Sequence, residues 1–72
     1  MKLPLVSGRR VGSALGRLGF VETSRKGSHV KMKHPDGRVV IFPDHDEVNR
    51  FTLKGALQDA GIDLDEFLDH LK

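Results

Sequence analysis

The order of apolar patterns along these 72 residues predicts an α+β fold, a three-stranded antiparallel sheet with helices laid on one face. Three observations carry that reading. Val11, Ala14, Leu15 and Leu18 recur at i, i+3, i+4 and i+7, the spacing of a helix with one buried stripe. Three short segments follow that alternate, or run apolar, between turn residues, as strands do. Two more helical stripes close the chain: Leu53, Ala56, Leu57 and Ala60, then Leu64, Phe67, Leu68 and Leu71. Such elements bury their apolar sides as two layers, which leaves the far face of the sheet to water or to a ligand.

Taken in order, Met1 to Val6 is a lead-in, one domain is expected over residues 1–72, and Pro4 disfavours helix at the start. Ser7 is a helix N-cap, its hydroxyl available to a free backbone N–H of the first turn. Gly19 stands where a left-handed residue closes the helix. Arg10, Ser13 and Arg17 share its polar face. Gly12 and Gly16 each cost up to ~1 kcal/mol relative to alanine, and their spacing makes a smooth flank for another element or a partner. Phe20 to Ser24 reads as the first strand, with Phe20 and Val21 supplying apolar contacts. Arg25 to Ser28 is the turn and His29 to His34 the second strand. Pro35, Asp36 and Gly37 form a hairpin connection. Arg38 to Phe42 is the third strand, apolar on both faces and so expected to be central or best covered. Pro43 ends it.

Asp44 to Arg50 is a polar loop. Thr52 is the expected cap of the second helix, with Phe51 and Ala56 at hydrophobic-staple positions and Gly61 closing it. Asp63 caps a short third helix, and Glu66 three residues on makes the pattern of a capping box.

Composition excludes several classes of function. A chain this short buries only about 60% of its unfolded surface and has a thin stability margin. It has no cysteine, so a disulfide framework, a thiolate metal site and a thiol nucleophile are all ruled out. The apolar run Leu3-Pro4-Leu5-Val6 is too short for a signal peptide or a membrane span, and a cytoplasmic location is the default expectation. Charge is divided unevenly: nine Lys and Arg against two acids in residues 1–42, three against eight in residues 43–72. A basic half suits a polyanion, while the acidic half repels it or meets a different partner.

The informative stretch is Arg25-Lys26-Gly27-Ser28-His29-Val30-Lys31-Met32-Lys33-His34. Strand alternation sends His29, Lys31 and Lys33 to one side, Val30, Met32 and His34 to the other. An imidazole able to titrate near neutrality is thus in line with two ammonium groups. Gly27 lets a ligand's backbone come close to the turn. This is what a phosphodiester site needs. Arg25, Lys26, Lys31 and Lys33 are the candidates for holding phosphates, with Ser28 and the backbone at Gly27 as further donors. His34 and His45 are candidates for a second acid or base, and His70 reads as plain surface. With no cysteine and no His pair spaced along one helix, neither a metal site nor a cofactor is expected.

With the whole order in view, the sequence resembles the HicA family of mRNA interferase toxins from about Ser7 to Phe67. The resemblance is carried by Ser7-Gly8-Arg9, Leu18-Gly19-Phe20, Arg25-Lys26-Gly27-Ser28-His29 and His34-Pro35-Asp36-Gly37-Arg38. Pro43-Asp44-His45, Thr52-Leu53 and Ala60-Gly61-Ile62 complete the ordered set. It implies a fold like that of double-stranded-RNA-binding domains, a ribonuclease activity that cleaves mRNA and inhibits translation, and a HicB-type antitoxin that masks the toxin. The family's catalytic histidine lies in its Gly-Ser-His motif and matches His29. Pro43-x-His45 resembles the family's Pro-x-His, and His45 is expected to orient the loop after the third strand. Two departures stand out. Phe51 replaces the glycine common before Thr-Leu, and Gly12 and Gly16 stand where longer helix formers are usual.

Metal-free RNA cleavage needs the 2′-hydroxyl deprotonated, an in-line attack on phosphorus, and stabilised charge on the phosphoryl oxygens. Histidine serves as general base or acid near pH 7, and preorganised cations and N–H donors supply the electrostatic part. The alternative on the same fold is a non-catalytic RNA-binding module. Duplex binders of this kind place a lysine cluster at the start of the last long helix, where this chain has only Lys54. No helix-turn-helix pattern is present, so direct DNA binding is not expected, nor is a membrane partner.

Overall fold

In a computed structural model that describes residues 4–71, the chain turns into its first helix at Ser7. The Ser7 Oγ accepts from the Arg10 N–H at 3.2 Å. Helix α1 spans Gly8–Arg17 and buries Val11, Ala14 and Leu15, while Leu18 packs against the core half-buried. Gly19, at φ +101°, closes it. Met1 to Leu3 of the expected lead-in lie outside the described residues.

Three strands follow: β1 (Val21–Lys26), β2 (His29–Lys33) and β3 (Val39–Pro43). They form one antiparallel sheet in the order β1-β2-β3. The α+β architecture is therefore the one predicted, with three local corrections. β1 runs on through Arg25 and Lys26, because the turn needs only Gly27 and Ser28. Gly27, at φ +60°, is the first central residue of a two-residue hairpin loop, a place where glycine matches the twist of the flanking strands. The second correction is that Phe20 is buried but Val21 is 63% exposed, so only the former joins the core. Third, β2 and not β3 is central. A chain that reverses twice through short turns puts its middle strand in the middle, whatever the hydropathy of the last. Val40 and Phe42 of β3 are buried, while Ile41 between them is 54% exposed.

Helix α2 spans Arg50–Asp59 and α3 spans Leu64–Asp69. Asn49, not Thr52, caps α2: its Oδ1 accepts from the Phe51 N–H at 2.9 Å and the Thr52 N–H at 3.2 Å. The helix thus starts earlier than predicted and the staple positions move with it. Val48 and Leu53 occupy them and both are fully buried, whereas Phe51 is 86% exposed. Gly61, at φ +67°, closes α2, and the Asp63 carboxylate caps α3 through the Asp65 N–H at 3.1 Å. Two arginines from the polar face of α1 reach the other end of α3. Arg10 donates to the Leu71 carbonyl at 2.9 Å and Arg17 to the His70 carbonyl at 2.8 Å, which satisfies carbonyls a helix end leaves free.

All three helices lie against the face that carries Val30, Met32, Val40 and Phe42, and one core joins these to Leu15, Leu53, Leu57 and Phe67. Each large side chain fully withdrawn from water stabilises the fold by about 1.5–3 kcal/mol. Among the described residues no polar or charged side chain is buried. Among the described residues no helix or strand is layered on the opposite sheet face.

Candidate functional site

Residues directly opposite in an antiparallel pair share a face, so the register places the site. Lys26 pairs with His29 and His29 with Pro43; Lys31 stands between Ser24 and Ile41; Lys33 between Val21 and Val39. The uncovered face therefore carries His29, Lys26, Lys31 and Lys33, set among Val21, Val39 and Ile41. The predicted alternation along β2 holds, with His29, Lys31 and Lys33 exposed and Val30 and Met32 buried. Neither the ammonium groups of these three lysines nor the His29 ring makes a hydrogen bond or ion pair among the described residues. Gly27 is equally open, since a Cβ there has no neighbour within 4 Å.

Arg25 is not brought to that face. It pairs with Val30, on the helix side of the sheet, where it holds Asp44 at 2.7 Å and Glu22 at 3.2 Å. The hydrogen bond to Asp44, then the one to Glu22, raises its pKa above the ordinary arginine value. The guanidinium is committed to those carboxylates. A β-bulge between Glu22 and Ser24 lets Glu22 and Arg25, three apart, share a side, an offset that simple alternation does not give.

Ser28 is half-buried and reached from the loop after β3. Its carbonyl accepts from the Asp44 N–H at 2.6 Å, and its Oγ lies 3.2 Å from His45 Nε2. The His45 carbonyl in turn accepts from the Gly8 N–H at 2.8 Å. A methyl group on Gly8 would collide with the Asp44 backbone and the Pro43 carbonyl. Loop, hairpin turn and helix start are thus locked together at one end of the sheet. Asp44 is a member of this site that the sequence signals only by its place beside His45 after Pro43.

A groove of about 720 Å³ lies on the helix side between α1 and β1, with Val30, Met32 and Phe42 along it and Gly12 and His45 in its wall. A Cβ on Gly12 would meet the Phe42 ring at 3.6 Å, an ordinary contact, while one on Gly16 would meet nothing within 4 Å. His34 belongs elsewhere. Its ring packs edge-on against Phe20, centroids 5.1 Å apart, and its Nδ1 lies 3.0 Å from Asp36 Oδ1, at the β2–β3 turn. The His70 Nδ1 bonds the Glu66 carbonyl at 2.8 Å. Among the described residues no group of three or more His, Asp or Glu side chains is gathered where it could hold a metal ion.

A family model described as HicA toxin of bacterial toxin-antitoxin matches residues 8–62. The chain belongs to the HicA toxin family. No curated protein matches the chain. The HicA match covers α1, the sheet and α2 and ends before α3, and membership makes the protein a toxin of the toxin–antitoxin class, whose members are paired with an antitoxin. No helix among the described residues is long and apolar enough to cross a membrane.

Proposed function

We propose that this HicA toxin is a metal-independent endoribonuclease that cleaves mRNA in the cytoplasm, with His29 as general acid or base. The single observation that supports this most is the His29 ring, exposed and without a partner among the described residues, beside Lys26 and in line with Lys31 and Lys33 on the uncovered sheet face. The lysines hold phosphates on either side of the scissile bond. N–H groups of the Gly27-Ser28 turn, and the Ser28 hydroxyl, stabilise charge on the phosphoryl oxygens. His29 takes the proton of the 2′-hydroxyl, the 2′-oxygen attacks phosphorus in line, and the 5′-oxygen leaves with a proton from water or a second acid. The products are a 2′,3′-cyclic phosphate and a 5′-hydroxyl. In this reading Arg25 braces the loop and does not hold phosphate. A HicB-type antitoxin silences the toxin by covering the His29 face.

The test is His29→Ala. Expression of the parent arrests bacterial growth, and the alanine variant, equally folded by circular dichroism, does not. Cleavage of single-stranded RNA by the purified variant falls by about 10²–10⁴-fold. An alanine variant as toxic as the parent removes His29 from the chemistry, and RNA affinity without any cleavage by the parent makes the chain an RNA-binding module instead.

A further inference from the structure

His45 does something the loop does not need for its own shape. Its backbone is held without the ring, through the Gly8 N–H on its carbonyl and the bond from the preceding Asp44 N–H to Ser28. Among the described residues the only hydrogen bond of the ring is to the Ser28 Oγ, at 3.2 Å, and Ser28 directly precedes His29. We propose that His45 is a positioning residue for the His29 site, donating from Nε2 to Ser28 so that the Ser28 O–H points outward to a phosphoryl oxygen. The inference rests on the RNA-cleaving reading given above.

The direction of that bond decides what Ser28 can do. A serine hydroxyl has one hydrogen to give and two lone pairs to receive, and a neutral imidazole donates at one nitrogen and accepts at the other. If Nε2 accepted, the only hydrogen of Ser28 would point into the ring, and an anion at the turn would meet lone pairs. With Nε2–H donating, one lone pair of Ser28 is occupied and its hydrogen is free for the anion. The neutral Nε2–H tautomer and the imidazolium both serve. Gly27 adds no side chain in front of the turn, and the Arg25–Asp44 ion pair keeps the loop registered on the hairpin.

Two measurements test this. Ring ¹⁵N spectra of the folded protein, recorded with the imidazole neutral, should show Nε2 protonated. The Nδ1–H tautomer overturns the proposal, and this readout does not depend on any cleavage. In RNA cleavage, His45→Ala should lower kcat/KM by about 10- to 100-fold, the cost of a misplaced group, and His45→Gln, whose amide N–H has a similar reach, should recover most of it. The Ser28→Ala, His45→Ala double variant should be no slower than Ser28→Ala alone. A loss from His45→Ala that persists undiminished in the Ser28→Ala background also overturns it. If His29→Ala cleaves like the parent, the nuclease reading falls by a separate result.

Discussion

Gly8 shows how one missing side chain locates the site. The Asp44 backbone and the Pro43 carbonyl fill the space where its Cβ would stand, so the loop bearing His45 can bond to the start of α1. Gly8→Ala should lower unfolding stability by about 1–3 kcal/mol, the usual cost of forcing atoms into filled space. Gly16, with no atom within 4 Å of a built Cβ, should respond oppositely, gaining up to ~1 kcal/mol as alanine from helix propensity. Urea titrations of both variants check the contrast, and equal effects at the two positions would refute it. Asp36 gives a pH-dependent prediction. Its pKa is lowered from the ordinary 3.8, first by the backbone N–H of Arg38, then by that residue's guanidinium and by His34. A depressed carboxylate stabilises the fold above its unfolded value and loses that contribution as pH falls through the folded one. Asp36→Asn should therefore melt below the parent at neutral pH, with the gap closing below pH 3.8. Melting curves between pH 2 and 7 decide it, and a gap independent of pH removes the assignment.

At the scale of elements, the informative difference is the start of α2. Thr52 looked like the cap because it precedes the Leu53, Ala56, Leu57 stripe. Asn49 holds the position, since Val48 and Leu53 are both buried and the chain must already be turning into helix between them. Asn49→Ala should cost about 1 kcal/mol, the usual value of a cap, and Thr52→Ala markedly less. Denaturant midpoints of the two variants test this, and a larger loss at Thr52 would restore the earlier boundary. Phe51 is left largely in water by the same shift, and nothing in the structure explains an exposed phenylalanine there. The hairpin is the second case. Residues Arg25 and Lys26 looked like part of the turn because they are charged, but pairing continues until a residue with positive φ reverses the chain, and Gly27 is that residue. Extending β1 in this way sends Lys26 and Arg25 to opposite faces.

For the whole molecule, the consequence is a division of charge by face as well as by chain half. The uncovered face gathers Lys26, Lys31 and Lys33 around His29, while Arg25 is neutralised locally by Glu22 and Asp44 on the other side. If RNA is held by that face, replacing Lys31 and Lys33 by alanine should flatten the dependence of log affinity on log salt by about 0.7 per lost phosphate contact with a single strand. Arg25→Ala should leave that slope unchanged. Binding titrations of a non-cleavable RNA between low and physiological salt separate the two, and an unchanged slope in the lysine variant removes the face from RNA binding. Both lysine side chains are exposed and, among the described residues, without partners, so thermal stability should move little.

The kinds of element, their order, and the membership of His29, Lys31 and Lys33 in one row were legible in the residues. They follow from periodicities of 3.6 and 2 and from glycines at chain reversals, and those are properties of a few neighbouring residues. Which strand is central, which residue caps α2, which way Arg25 faces and what touches Ser28 were not legible. Each depends on a contact between segments distant in the chain: the bulge that re-aims Arg25 toward Asp44, the Val48 anchor that advances the helix, the bare glycine at position 8 that admits His45. Local pattern determined the pieces and the side of the sheet that stays wet. Packing alone decided how one end of that sheet was closed, because only folding sets the distance between residues 8, 28 and 45.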